Sequence, residues 1–165
     1  MRFADITKCE LSNGNKIGVS LYVQGCPIHC KGCFNPSTWD FDGGREWNSE
    51  VENYFFKLID HPYIERISIL GGEPLSPINI NDVTELVKRI KGAFPDKKIW
   101  LYTGYTFDLN NSWNVVNYID FLVDGSFQLE NKDLSLPFRG STNQRIIDIK
   151  ETIKQEEIIY WSPKE

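Results

Sequence analysis

Four times along the chain a short apolar run stops at a glycine or polar pair, and this recurrence restricts the fold more than any other feature. Residues 17–23 stop at Gln24-Gly25, 64–70 at Gly71-Gly72, 99–102 at Thr103-Gly104, and 119–123 at Asp124-Gly125. Short apolar runs bounded by such punctuation read as strands. Helical patterns lie between them. Ser49 and Glu52 form a capping box for Val51, Tyr54, Phe55, Leu58 and Ile59 at helical spacing. Asn81 or Asp82 caps a second helix that carries Val83, Leu86, Val87 and Ile90 on one face and ends near Gly92 and Pro95. A weaker third pattern covers residues 112–118.

Alternating strand and helix predicts α/β architecture, with parallel strands joined by right-handed crossovers. Four or five such units are too few to close an eight-stranded barrel. The expected architectures are an open, curved partial (βα) barrel or a small doubly wound sheet. In both, ligands gather at the carboxyl ends of the strands. All four punctuated loops are therefore expected on one rim.

The 165 residues read as a single domain, 1–165. A domain of that size buries roughly 70% of its unfolded surface and needs no disulfide staples. A net charge of −5, with both signs mixed along the chain, argues against a nucleic-acid partner held through phosphates. No apolar run approaches the roughly 20 residues of a bilayer span, and the first ten residues lack a signal-peptide core. A cytoplasmic protein without membrane contact is expected, where clustered cysteines read as metal-binding or redox chemistry.

Cys26, Cys30 and Cys33 stand as Cys-x-x-x-Cys-x-x-Cys behind the first strand-like run, with Cys9 upstream. Three thiolates from one loop are one short of a closed site, since structural zinc and fully ligated iron–sulfur clusters take four ligands. Spacing leaves three readings: a cluster with one open iron, a zinc site completed by Cys9 or His29, and a redox pair at Cys30 and Cys33. Gly71-Gly72-Glu73-Pro74 adds glycines that permit close backbone approach and a carboxylate suited to an ammonium. Its ordinary alternative is a strand-to-loop turn stopped by proline.

Together the cysteine triplet and the Gly-Gly-Glu-Pro loop resemble the radical S-adenosylmethionine (SAM) enzymes. Residues 33–39 (Cys-Phe-Asn-Pro-Ser-Thr-Trp), 100–105, 123–125 and 138–146 are similar to the activases of anaerobic ribonucleotide reductase, in order over nearly the whole chain. The resemblance implies a shortened radical SAM fold, the partial barrel of about four to five parallel strands. It implies a [4Fe-4S] cluster on Cys26, Cys30 and Cys33, with SAM as ligand of the fourth iron. Gly71, Gly72 and Glu73 would hold the methionyl amino group. Thr103, Asp124 and Ser126 would reach its ribose or methionyl part. The residue before the third cysteine, usually aromatic in that superfamily, is Gly32 here, so Phe34 takes over the stacking on adenine. Arg139, in a loop with Asn143, Gln144 and Arg145, would anchor the SAM carboxylate, dock the partner's radical loop, or tie the loop down.

The implied activity is reductive cleavage of SAM and formation of a glycyl radical on the large subunit of anaerobic ribonucleotide reductase. A flavodoxin-type or other low-potential donor would supply the electron. About four βα units cannot enclose a reactive radical, so a loop of a larger protein suits the open face, with Phe34 and Trp39 at the contact. The alternatives are activation of another glycyl-radical enzyme, such as pyruvate formate-lyase, and a non-catalytic zinc module on Cys9, Cys26, Cys30 and Cys33. Cys9 is otherwise read as structural, His29 as a loop residue beside the ligands, and His61 as helix-terminal.

Overall fold

The chain opens with a strand that its sequence conceals, β1 (Arg2–Glu10). Only Phe3 of its side chains is buried, and charges fall at Asp5, Lys8 and Glu10, so no two-residue alternation is visible. It pairs antiparallel with β2 (Gly18–Val23) and, on its outer edge, with β3 (Arg45–Glu46). After α1 (Ser49–Ile59) comes β4 (Arg66–Gly71), parallel to β2 from Gly18↔Arg66 to Val23↔Gly71. After α2 (Ile80–Ala93), β5 (Lys98–Tyr102) joins β4 in parallel, and β6 (Phe121–Asp124) joins β5. Next β7 (Arg145–Asp148) returns antiparallel to β6 and leads into α3 (Ile149–Gln155). This computed structural model describes residues 1–163.

The sheet is therefore mixed, in the order β3-β1-β2-β4-β5-β6-β7, with three helices. This overturns the expected partial barrel of four to five parallel strands. Parallel pairing is confined to β2, β4, β5 and β6, and antiparallel strands flank them on both sides. A parallel return needs a long crossover, and residues 125–144 supply only a 3-10 turn at Leu129–Asn131, so β7 folds straight back. The third expected helix is also only a 3-10 turn, Asn114–Asn117.

Both long helices start before the sequence pattern suggests, α1 by one residue and α2 by two or three. Asn48, not Ser49, caps α1, its side chain accepting from the Val51 N–H at 3.0 Å. Glu52 is thereby free to accept from the Trp47 indole and from Arg89. Asn79, not Asn81 or Asp82, stands at the N-cap of α2.

The two sheet faces differ in chemistry. Val19, Leu21, Ile67, Ile69, Ile99, Leu101 and Leu122 pack against Phe55 and Ile59 of α1 and Val83, Leu86, Val87 and Ile90 of α2. Among the described residues, no helix contributes to the core on the other face. There Trp100, Val123 and Ile146 meet Tyr102, Phe121, Phe138 and Trp161. Beside them Arg66, fully buried, donates to the Glu10 carboxylate at 2.7 Å and to the carbonyls of Glu10 and Asn13. Those bonds hold residues 11–17 against that face, so Asn13 and Tyr22 border a depression that opens towards the carboxyl ends of the parallel strands. No helix among the described residues is long and apolar enough to cross a membrane.

Candidate cluster and cofactor site

Because β2, β4, β5 and β6 run in the same direction, the loops that follow them meet at one end of the sheet. They surround a cavity of about 560 Å³ lined by Cys26, Cys30 and Cys33, by Gly71, Gly72 and Glu73, by Thr103, and by Phe34 and Arg139. The cysteine loop is closed on itself: Gly25 N–H donates to the Thr38 carbonyl at 2.8 Å and Cys26 N–H to the Trp39 carbonyl at 3.1 Å. Backbone N–H groups are aimed at the sulfurs, from Ile28 and His29 to Cys26, from Phe127 to Cys30, and from Asn35 to Cys33 at 3.4 Å. At Cys26 and Cys30 such donors favour thiolate over thiol.

Burial pushes the Cys26 and Cys30 thiols up, and the neighbouring cysteines and the Glu73 carboxylate add to it. Three thiolates and a carboxylate around one cavity need positive charge between them, as a metal centre provides. The thiols do not form a closed ion-binding group among the described residues. They share a cavity of about 560 Å³ with Glu73, and that volume fits a larger group better than a single ion.

Cys9 does not join them. The antiparallel register places Thr7 opposite Ser20 and Glu10 opposite Gly18, so Cys9 lies near the amino end of β2 while the triplet follows its carboxyl end. It is exposed. The four-cysteine zinc arrangement is thus not assembled. His29 stacks flat on Trp39, ring centroids 4.4 Å apart at 12°, and meets the cysteines through its backbone.

Glu73 is 1% exposed, yet among the described residues no cation pairs with it. Its Oε1 accepts from the Leu75 N–H at 2.9 Å and from Thr103 Oγ1 at 2.7 Å, and its Oε2 from the Gly104 N–H at 2.7 Å. Burial pushes the carboxyl up, and those three neutral donors offset part of the effect. Thr103 therefore reaches the cavity chiefly as a support of this carboxylate. The glycines before it serve close packing: Gly71 has φ +111°, and a Cβ there would stand 2.6 Å from Val23 N. At Gly72 a Cβ would stand 2.4 Å from the Gly25 carbonyl oxygen. Only glycine lets the loop after β4 lie this close to the cysteine loop.

Asp124 and Ser126 do not line the cavity. Asp124, fully buried on the other side of its strand, accepts from the Phe107 N–H at 2.8 Å, from Arg145 Nε at 2.9 Å and from Arg145 Nη2. The Ser126 carbonyl is taken by Asn143 Nδ2 at 2.8 Å. Phe34 is 56% exposed and tilts against Phe127, centroids 4.9 Å apart, with Lys132 Nζ above its ring. Arg139 lines the cavity, and its Nε is buried with no partner among the described residues. An acceptor supplied from outside would satisfy it. Sequence reasoning missed Phe127, whose only signal was adjacency to the Asp-Gly-Ser turn. It also missed Gln24 and Asn79, two buried amides between the loops.

The model of a 4Fe-4S single cluster domain matches residues 12–147, which sets the class of protein that this site defines. The relatives are more specific. The chain is 40% identical to an anaerobic ribonucleoside-triphosphate reductase-activating protein of Vibrio cholerae, over 88% of this chain and 97% of that one. Proteins of the same name from Salmonella typhi and Escherichia coli are 40% and 38% identical, each over 87% of this chain and 96% of theirs. The chain belongs to this family of iron–sulfur activating proteins.

Proposed function

We propose that this protein activates an anaerobic ribonucleotide reductase by placing a glycyl radical on its large subunit, at the expense of SAM. The observation that carries the reading is the carboxylate of Glu73, buried without a cation among the described residues, in the cavity that three cysteines line. A carboxylate in that state invites an ammonium.

In this reading residues 1–165 act as one unit. Cys26, Cys30 and Cys33 hold a [4Fe-4S] cluster, and the N–H groups of Ile28, His29, Asn35 and Phe127 stabilise their thiolates. Glu73 receives the methionyl ammonium, fixed in rotamer by Thr103 and the Gly104 N–H. Gly71 and Gly72 let the loop after β4 lie against the cysteine loop, which brings Glu73 close to it. Arg139 supplies a guanidinium for the methionyl carboxylate. Phe34 and Phe127 offer aromatic surface to adenine. Asp124 acts at one remove: clamped by Arg145, it holds the backbone from Gly125 to Phe127 in place, with Ser126 inside that turn. With an electron from a flavodoxin-type or other low-potential donor, the bound cluster and SAM would supply a 5′-deoxyadenosyl radical and methionine, and the radical would take hydrogen from the Cα of the partner's glycine. The protein's own part is to orient the sulfonium and keep water and oxygen out, with the partner covering the open mouth.

The test mixes anaerobically purified protein, dithionite, SAM and the reductase large subunit, and reads electron paramagnetic resonance. A glycyl doublet with matching 5′-deoxyadenosine is expected. A colourless zinc protein, or an iron–sulfur protein that leaves SAM intact, overturns the reading.

A further inference from the structure

An asparagine at a helix N-cap ordinarily accepts a hydrogen bond from the backbone two or three residues on. Asn79 holds that position in α2 and makes no such bond. Its side chain, 1% exposed, turns back from the helix: Nδ2 donates to the Gln24 carbonyl at 3.0 Å and to the Glu73 carbonyl at 3.1 Å. Gln24 stands two residues before Cys26, and Glu73 carries the buried carboxylate. One amide thus spends both protons joining the loop that bears the cysteines to the loop that bears the carboxylate.

The surrounding bonds continue the tie. Glu73 N–H donates to the Gly25 carbonyl at 2.8 Å and Gly72 N–H to the Val23 carbonyl at 2.8 Å. The Gln24 side chain, equally buried, donates to the carbonyls of Ser37 at 3.0 Å and Asp40 at 2.7 Å, where the cysteine loop returns. Neither Gln24 nor Asn79 lines the cavity. Whatever they do for a ligand, they do through Cys26 and Glu73.

We propose that Asn79 is a positioning residue that fixes the separation between the Cys26 sulfur and the Glu73 carboxylate, so that a ligand held by Glu73 meets the cluster in one geometry. The proposal rests on the function proposed above. Helix capping does not require this residue type, because serine and aspartate cap as well as asparagine. Neither can donate two N–H bonds to two carbonyls at once.

The experiment compares Asn79→Ser and Asn79→Asp with the unsubstituted protein, all reconstituted anaerobically. It measures iron and acid-labile sulfide, the dissociation constant for SAM, and the change that SAM causes in the resonance spectrum of the reduced cluster. Asn79→Ser keeps a capping hydroxyl and introduces no buried charge, so it serves where Asn79→Asp does not fold. The expected result is full iron and sulfide, SAM binding weakened about tenfold or more, the effect of losing one or both buried hydrogen bonds, and a reduced spectral response. Variants that bind SAM and respond to it as the unsubstituted protein does overturn the proposal. So does loss of iron from Asn79→Ser, which would make the role structural. Absence of any SAM response in the unsubstituted protein is a different result, and it overturns the functional reading and this proposal together.

Discussion

Two carboxylates, Glu73 and Asp124, are buried at the carboxyl ends of parallel strands in the same sheet, and they are held in opposite ways. Asp124 receives two guanidinium bonds from Arg145 and one backbone N–H, so its charge is matched inside the protein. Glu73 receives three neutral donors, and its charge is matched by nothing among the described residues. The first arrangement is complete and faces away from the cavity; the second is incomplete and faces into it. A buried ion without a counter-ion is costly. On the function proposed above, the difference separates a structural carboxylate from one kept for a cationic ligand, although burial alone would rank them as equals.

The comparison breaks first, and by the largest amount, if Asp124 is made to resemble Glu73. Arg145→Met removes the counter-ion and strands a buried charge, which should destabilise the fold by about 3 kcal/mol. The urea midpoint should fall with an unchanged slope. A midpoint within error of the unsubstituted value would mean that the pair is not structural. Next comes Glu73→Gln, which keeps the shape and removes the charge. SAM affinity should fall about a hundredfold, while stability changes by no more than about 1–2 kcal/mol for the one misdirected donor. Equilibrium binding on the reconstituted protein decides it, and unchanged affinity would end the assignment of Glu73 as the ammonium site. Thr103→Val sharpens the comparison at smaller scale. It deletes one of the three neutral donors, and should weaken SAM about three- to tenfold.

The sequence made one of these carboxylates legible and disguised the other. Glu73 follows two glycines behind an apolar strand, a local pattern that announces a crowded loop with a charge at its tip. Asp124 sits in an equally suggestive Asp-Gly turn, but its partner lies twenty-one residues on, across an antiparallel pairing that no local pattern reveals. The same limit explains the fold. The four parallel strands are legible because Val19, Leu21, Ile67, Ile69, Ile99, Leu101 and Leu122 all belong to the core that the two long helices cover. Strand β1, one in from the edge, buries only Phe3, and β7 follows a loop without an α-helix, so the mixed character of the sheet stayed hidden. Asn79 was invisible for another reason: an asparagine near a helix start is explained locally, and its real partners are contributed by two other loops.

The smallest expected effect is a pH dependence, and its sign sets Glu73 apart from a carboxylate held by cations such as Asp120. Burial raises the Glu73 carboxyl above its ordinary value of 4.5. A raised acid binds its proton more tightly in the folded state, so its contribution to stability is greatest below 4.5 and falls as pH rises through the window up to the raised native value. Other carboxyls act oppositely: Asp120, beside Lys150 and Lys91, is held below its ordinary value and loses stability as pH falls. The Glu73 contribution is therefore read as a difference, the stability of the unsubstituted protein minus that of Glu73→Gln, which should decline with rising pH and then level. SAM affinity should climb over the same window, because the ammonium requires the anion. Thr103→Val should extend both windows upward by removing a donor that favours ionisation. A difference that stays flat with pH would mean that Glu73 is ionised throughout, and that its charge is balanced in the free protein as fully as that of Asp124.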